Sequence, residues 1–177
     1  MSTVVSRLRK RYKPVAVKLL FVAESPPEST IDEEVRFFYN PHVEPWDHMY
    51  RAVMKAVFAD FEYRLGEKGT WLRLFREQGY YMIDAVDSPV NRCSPSERRL
   101  RIEAAREKKL HEIAKLISPT TPIILIKKNV FSAFHGPLRE AGYNVIHESF
   151  LPFPSHSHQT RFVTACRDCL RKQQRGK

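Results

Sequence analysis

The chain has 177 residues, of which 42% are hydrophobic, so its simplest organisation is one domain with a single core over residues 1–177. Lys and Arg number 30 against 20 for Asp and Glu, and the formal net charge of +10 favours a polyanionic partner such as nucleic acid. No stretch is apolar enough to cross a membrane, and no signal-peptide core follows the basic N-terminus. The odd count of three cysteines argues against a disulfide framework. We therefore expect a cytoplasmic protein without a membrane partner.

The first predicted strand lies in the segment "KLLFVAESPPES". Val15 to Val22 is an almost unbroken apolar run, which is typical of a strand buried on both faces in a parallel sheet. The run stops at Glu24. Ligands of open α/β sheets bind at the carboxyl ends of the strands, so Glu24 is expected at a functional site.

A polar stretch and two helices are predicted next. The polar stretch runs to about residue 45, contains the aromatic run Phe37, Phe38 and Tyr39, and indicates a long loop. From Trp46, apolar residues recur at steps of three and four, which predicts one face of a helix. A short helix around 71–78 is expected to end at Gly79 as its C′ residue.

The second half of the chain alternates strands with helices. "YYMID" predicts a second strand, and Ser94 is expected to cap a long helix, with Pro95 first and Glu97 completing a capping box. "TPIILIK" predicts a third strand, "NVIHESFLPFP" a fourth strand with its loop, and "HSHQTRFVTACRDCL" a closing helix. This pattern predicts an α/β fold, a three-layer α/β/α domain with a central four-stranded parallel sheet.

The segment "AESPP", which follows the first predicted strand, resembles the first motif of the uracil-DNA glycosylase superfamily. In the thermostable iron–sulfur branch, the first strand ends in a Gly-Glu-Ala-Pro-Gly loop. "AESPP" stands in that place here, with Glu24 at the catalytic-loop glutamate and Pro26 at the proline, while Ala23, Ser25 and Pro27 depart from the pattern. That branch places a base-stacking phenylalanine fourteen residues after the first motif position, which is Phe37 here.

Later segments extend the resemblance to roughly residues 15–170. In "YMIDAVDSPVNRCSP" the proline and the Asn-Arg pair fall where the branch has them, but Asp84 holds the place of the asparagine that reads the base. The second motif, His-Pro-Ser, appears as "FPS" with Phe153 in place of the histidine. The four cysteines that hold the iron–sulfur cluster are not present at the branch's spacing, so we expect no cofactor and no metal site.

The resemblance implies a DNA glycosylase of base-excision repair that hydrolyses the N-glycosidic bond of a flipped damaged base. It implies Glu24 as the catalytic carboxylate and the following substrate-binding residues: Ser25, Phe37, Asp84, His156 and His158. The expected DNA-binding residues are Asn91, Arg92, Ser155, Ser157, Gln159 and Arg161.

Each assignment has a structural alternative. Glu24 would otherwise form a salt bridge or cap a helix, Phe37 would be a core aromatic, and the two histidines would be surface residues at a helix cap. The alternative function is a non-catalytic nucleic-acid-binding module, or an enzyme on another nucleotide-like substrate, that retains the glycosylase fold. The basic segments at both termini are interpreted as arms that touch phosphate, and a monomer is the simpler expectation for the oligomeric state.

Overall fold

The structure is a computed structural model that describes residues 3–28, 36–42 and 47–175. Within these ranges the chain forms six α-helices and three β-strands. In chain order they are α1 (Thr3–Arg11), β1 (Leu19–Ala23), α2 (His48–Val57), α3 (Lys68–Glu77), β2 (Tyr80–Asp84), α4 (Pro95–Leu116), β3 (Ile123–Leu125), α5 (Lys128–Glu140) and α6 (Gln159–Arg175). A 3₁₀ turn, His156–His158, precedes α6.

The sheet is parallel and has the order β2-β1-β3. Val22 pairs with Ile83 on one side and with Leu125 on the other, and every residue of the central strand β1 is buried. The helices pack in pairs, α2 with α6 and α4 with α5. The fold is therefore α/β and compatible with three layers. The predicted buried parallel strand is confirmed, because β1 lies between β2 and β3 and is buried along its whole length.

The predicted fourth strand is wrong, since the described part of the sheet has three strands and two isolated parallel bridges, from Ile123 to Val145 and from Ile126 to Leu151. The physical reason is His147. Its Nε2 accepts the hydrogen bond from the Leu125 N–H at 2.8 Å, which a fourth strand would take with a backbone carbonyl. The segment therefore follows β3 without forming a continuous ladder.

Strand β1 is shorter than the apolar run predicts, because it begins at Leu19 and Val15 is fully exposed. The preceding residues lie against the turn that ends α3. Gly79 has a φ of +80°, and a Cβ there would meet the Ala16 carbonyl oxygen at 2.9 Å. Glycine is the residue that this turn requires, and the prediction of a C′ glycine at position 79 is confirmed.

The helix caps expected from the sequence are present. Ser94 caps α4, with its side chain accepting from the Glu97 N–H and the Glu97 carboxylate accepting from the Ser94 N–H, and Pro95 is the first helical residue. Helix α2 begins at His48 and is capped by Asp47, which accepts from the Tyr50 N–H at 2.9 Å. The expected first residue of that helical face, Trp46, lies outside the described residues.

The basic segment at the N-terminus forms helix α1 instead of extending from the domain. Val4, Val5 and Tyr12 are buried in the core, and Arg9 is buried with them. Because the apolar face of α1 packs on the domain, its cations are divided between solvent and the interior. None of the described helices is long and apolar enough to cross a membrane.

Candidate functional site

A cavity of about 340 Å³ opens at the carboxyl end of the sheet, where parallel α/β sheets bind ligands. It brings together five of the residues that the sequence singled out: Glu24, Ser25, Phe37, Asp84 and Asn91. Its remaining wall includes Arg36, Tyr39, Asp47, Met49, Met82, Arg98, Lys127 and Phe153. Candidate residues that are up to 67 positions apart in the chain, from Glu24 to Asn91, therefore face one space.

Glu24 lies immediately after β1 and is held by groups from two other elements. Lys127 Nζ and Asn129 Nδ2 donate to its two carboxylate oxygens, Oε2 and Oε1 respectively, and Arg98 lies 3.6 Å from Oε2. Glu24 is therefore in a salt bridge, as the structural alternative proposed, and at the cavity wall, as the catalytic interpretation requires. Counted over the described side chains, two cations beside one carboxylate give this part of the cavity a net positive charge.

Lys127 has a backbone conformation that only glycine adopts without strain. Its φ of 85° and ψ of 145° make it the one non-glycine residue with a positive φ in the part of the chain that the structure describes. The backbone is held on both sides, because its N–H donates to the Leu151 carbonyl at 2.8 Å and its carbonyl accepts from the Phe131 N–H at 3.0 Å. Strain of this kind costs about 1–3 kcal/mol and is typical of functional sites.

Asp84, the last residue of β2, lines the cavity and forms an ion pair with Arg9 of α1. Both side chains are buried. Burial raises the pKa of Asp84 from 3.8 to about 6, against the opposing effect of the Arg9 and Lys109 charges, while the nearby Asp87 adds to the increase. The carboxyl group at this position can therefore change its protonation state just below neutral pH.

Phe37 lines the cavity but is only 5% exposed. Its ring packs edge-on against Tyr39, with centroids 5.6 Å apart, and the Arg9 guanidinium lies 5.4 Å from its centroid. The Tyr39 hydroxyl in turn accepts from the Met82 N–H at 2.7 Å. Phe37 is thus built into an aromatic cluster, which both fixes its ring and limits the surface that a ligand can reach.

Phe153 contributes a more accessible aromatic surface, since it is 45% exposed and lines the same cavity. Lys127 Nζ lies 6.0 Å from its ring centroid, at the outer limit of a cation–π contact. Phe153, which stands in place of the second-motif histidine, therefore lies at the cavity wall beside Lys127.

The polar loop before α6 makes its contacts elsewhere. The described side chains that line the cavity include none of Arg92, Ser155, Ser157, His158, Gln159 and Arg161. The Nδ1 atom of His158 lies 3.0 Å from Ser155 Oγ and 2.9 Å from Ser157 Oγ, so this loop is closed on itself. Gln159 bonds His48 of α2 at 2.7 Å. The backbone of His156 opens the 3₁₀ turn, and its side chain lies outside the described part of the structure.

The Asn-Arg pair divides between two environments. Asn91 faces the cavity, and its carbonyl accepts from Arg98 at 2.7 Å. Arg98 also donates to the Cys93 carbonyl at 3.0 Å, so the guanidinium joins this loop to α4. Arg92 is exposed to solvent and pairs with Glu28 at 2.9 Å.

A basic groove adjoins the cavity between the N-terminal ends of α4 and α5. It has a volume of about 610 Å³, and its described lining holds one carboxylate, Glu103, and five cations, which are Arg98, Arg99, Arg106, Lys127 and Lys128. Two of these cations, Arg98 and Lys127, also pair with Glu24. Arg98 and Lys127 line both the groove and the cavity. Clustered Arg and Lys of this kind are the electrostatic signature of a phosphate contact.

Helix α6 carries two cysteines three positions apart, of which Cys166 is buried and Cys169 is half-buried. Burial raises the pKa of both thiols. Among the described residues, no group of three or more His, Cys, Asp or Glu side chains is arranged to hold a metal ion.

Sequence reasoning missed two residues that line the cavity, Arg98 and Lys127, and two that bond its carboxylates from outside it, Arg9 and Asn129. Lys127 and Asn129 follow β3 as Glu24 follows β1, so the strand-end rule that singled out Glu24 also applies to them. No sequence signal pairs Arg9 with Asp84, because contacts between distant segments depend on the fold.

Comparisons of the chain with protein-family models, with curated proteins and with solved structures find no match.

Proposed function

We propose that this protein hydrolyses the N-glycosidic bond of a base flipped out of DNA, as the resemblance to uracil-DNA glycosylases implies. The observation that carries the proposal is the cavity that brings Glu24, Ser25, Phe37, Asp84 and Asn91 together at the carboxyl end of the sheet. The chemistry needs a carboxylate near the sugar, a polar group for the base edge and an aromatic wall. All three are present in one space.

The basic groove supports DNA as the partner. A flipped nucleotide enters the pocket while the flanking strand stays outside it, where cations can contact the phosphates. Two of the five cations of the groove, Arg98 and Lys127, also line the cavity. A strand bound in the groove would therefore place a neighbouring nucleotide close to Glu24. Phosphate contacts position the strand, and the cavity selects the base.

In the proposed reaction, Glu24 acts on the sugar side of the bond. Its charge stabilises the cationic sugar that develops as the bond breaks and orients the attacking water. Lys127 and Asn129 hold the carboxylate in one orientation, and each oxygen retains a lone pair that can accept from water.

The test is base release from oligonucleotides that carry uracil, hypoxanthine or xanthine, in single-stranded and duplex form, measured as alkali-labile abasic sites. We expect release of at least one base, and Glu24→Gln should lower the rate roughly a hundredfold or more. The matched control is Glu62→Gln, the same chemical change at an exposed glutamate outside the cavity. No release of any base, or equal rates for the two variants, would refute the proposal.

A non-catalytic nucleic-acid-binding module is the second candidate. It is favoured by the engagement of both Glu24 oxygens and by the burial of Phe37. This candidate predicts DNA affinity without base release, and it predicts that Glu24→Gln lowers thermal stability because a salt bridge is lost.

A further inference from the structure

We infer that Lys127 is the cation that stabilises the departing base, and that the substrates are therefore uncharged oxo-bases that leave as anions. This inference rests on the proposed function and adds to it a catalytic residue and a class of base. When a glycosidic bond breaks, its electron pair remains on the base. In an oxo-pyrimidine or oxo-purine this negative charge spreads to an exocyclic oxygen, where a nearby cationic donor is most effective.

Among the residues that the structure describes, three cationic side chains line the cavity: Arg36, Arg98 and Lys127. Arg98 is committed to the loop before α4, since it donates to the carbonyls of Asn91 and Cys93. Arg36 is exposed to solvent, which screens its charge. Lys127 carries three N–H donors, of which Glu24 accepts one, and its ammonium stands beside the half-exposed Phe153 ring.

The strained backbone of Lys127 points to the same role. A lysine in a conformation suited to glycine persists only where the surrounding structure imposes it. Here the Leu151 carbonyl on one side and the first turn of α5 on the other impose it. The position would be less strained with glycine, so the lysine side chain supplies what glycine cannot, an ammonium group at the cavity wall.

The pairing of Lys127 with Glu24 closes the proton balance of the reaction. The bond from C1′ to the base nitrogen breaks, and its electron pair leaves with the base. The water oxygen bonds to C1′, one water proton passes to the Glu24 carboxylate, and Lys127 gives a proton to the base. Because Glu24 and Lys127 are in contact, the proton on Glu24 returns to Lys127, and the sum of the reaction is the addition of one water.

The charge of the cavity wall selects against alkylated purines. Within the described ranges, the carboxylates Asp47 and Asp84 are paired with the buried cations Lys68 and Arg9, and Glu24 is the carboxylate that faces Lys127 and Arg98. A purine alkylated at N7 carries a positive charge before the bond breaks and leaves uncharged. Lys127 would repel this base and could not assist its departure.

The test compares uracil, 5-fluorouracil and 7-methylguanine in otherwise identical single-stranded oligonucleotides at about pH 5.5, where Asp84 with its pKa of about 6 is largely protonated and can donate to O4. Lys127→Gly removes the ammonium and relieves the positive φ, but it also breaks the ion pair with Glu24, so its melting temperature is measured alongside its activity and all rates are compared well below that temperature. The matched control is Lys115→Ala, which removes one positive charge from the exposed end of α4.

We expect the unaltered protein to release uracil and 5-fluorouracil but not 7-methylguanine. Lys127→Gly should slow uracil release roughly a hundredfold or more and slow 5-fluorouracil release clearly less, because the fluorinated anion is the better leaving group. Added ethylammonium should restore part of the loss by entering the space of the missing side chain. Lys127→Arg should retain more activity than Lys127→Gly.

Equal losses on the two pyrimidines, or no loss, would overturn the role of Lys127 while leaving the proposed function in place. Release of 7-methylguanine by the unaltered protein would overturn the class of base. Failure to release either pyrimidine would overturn the whole inference, and the wider panel of bases then decides separately whether the proposed function stands.

Discussion

The buried carboxyl group of Asp84 should make folding stability depend on pH in a direction that is unusual for an acidic residue. Burial raises its pKa from 3.8 to about 6. Between these two values the folded protein binds a proton that the unfolded chain does not bind. Stability therefore falls as pH rises through this window, and the gap between the two pKa values corresponds to ~3 kcal/mol.

The measurement is urea unfolding of the native protein and of Asp84→Asn at several values between about pH 4 and about pH 7. The difference between the two free energies of unfolding isolates Asp84, because all other titrating groups are shared. We expect the native protein to lose ~3 kcal/mol relative to Asp84→Asn across this range. Asp60→Asn, at an exposed aspartate, should show no comparable dependence.

Two results would refute this reasoning. A difference independent of pH would mean that the folded pKa stays near the ordinary value. If the free energy of unfolding of the native protein instead rises relative to that of Asp84→Asn as pH rises, the Arg9 ion pair outweighs burial and lowers the pKa of Asp84. The same titration bears on the chemistry, because protonated Asp84 can donate to O4 of uracil and ionised Asp84 cannot, so uracil release should rise as pH falls below about 6.

Three further outcomes are expected. Gly79→Ala should destabilise the fold more than Gly66→Ala. Both positions have a positive φ, which alone is worth about 1 kcal/mol, but an added Cβ would clash at position 79 and would meet no described atom within 4 Å at position 66. Equal effects in urea unfolding would refute the clash. Burial lowers the pKa of His147, so stability should fall as pH falls below about 6.5, and His147→Gln should remove this dependence if the neutral ring is what accepts the Leu125 N–H. The logarithm of the DNA-binding constant should fall linearly with the logarithm of the salt concentration, with a slope of about −0.9 per neutralised phosphate. Lys128→Ala should reduce the magnitude of that slope by about one, because one phosphate contact is lost. An unchanged slope would exclude Lys128 from the phosphate contacts.

Local features were predictable from the sequence. The capping box at Ser94, the glycine turn after α3 and the buried central strand each depend on neighbouring residues, and the structure has all three. The strand-end rule placed Glu24 at the cavity for the same reason.

Features that depend on distant contacts were not predictable in this way. The interrupted fourth strand results from one side chain, His147, which takes a backbone donor of β3, and apolar patterning does not detect that exchange. The burial of Phe37 results from packing against Tyr39 and Arg9, which come together only in the folded chain. The aromatic pattern shows that such residues pack, but not which ring remains accessible.

The pairing of Arg9 with Asp84 has a consequence for how the protein is made. The two residues are 75 positions apart, so during synthesis at about 5–20 residues per second the helix that carries Arg9 emerges roughly 4–15 seconds before its partner strand. Until then α1 has no sheet to dock on, and the site cannot be complete. Deleting the first helix would leave a buried carboxylate without its counter-ion, a loss of about 3–5 kcal/mol, although no residue of α1 lines the cavity.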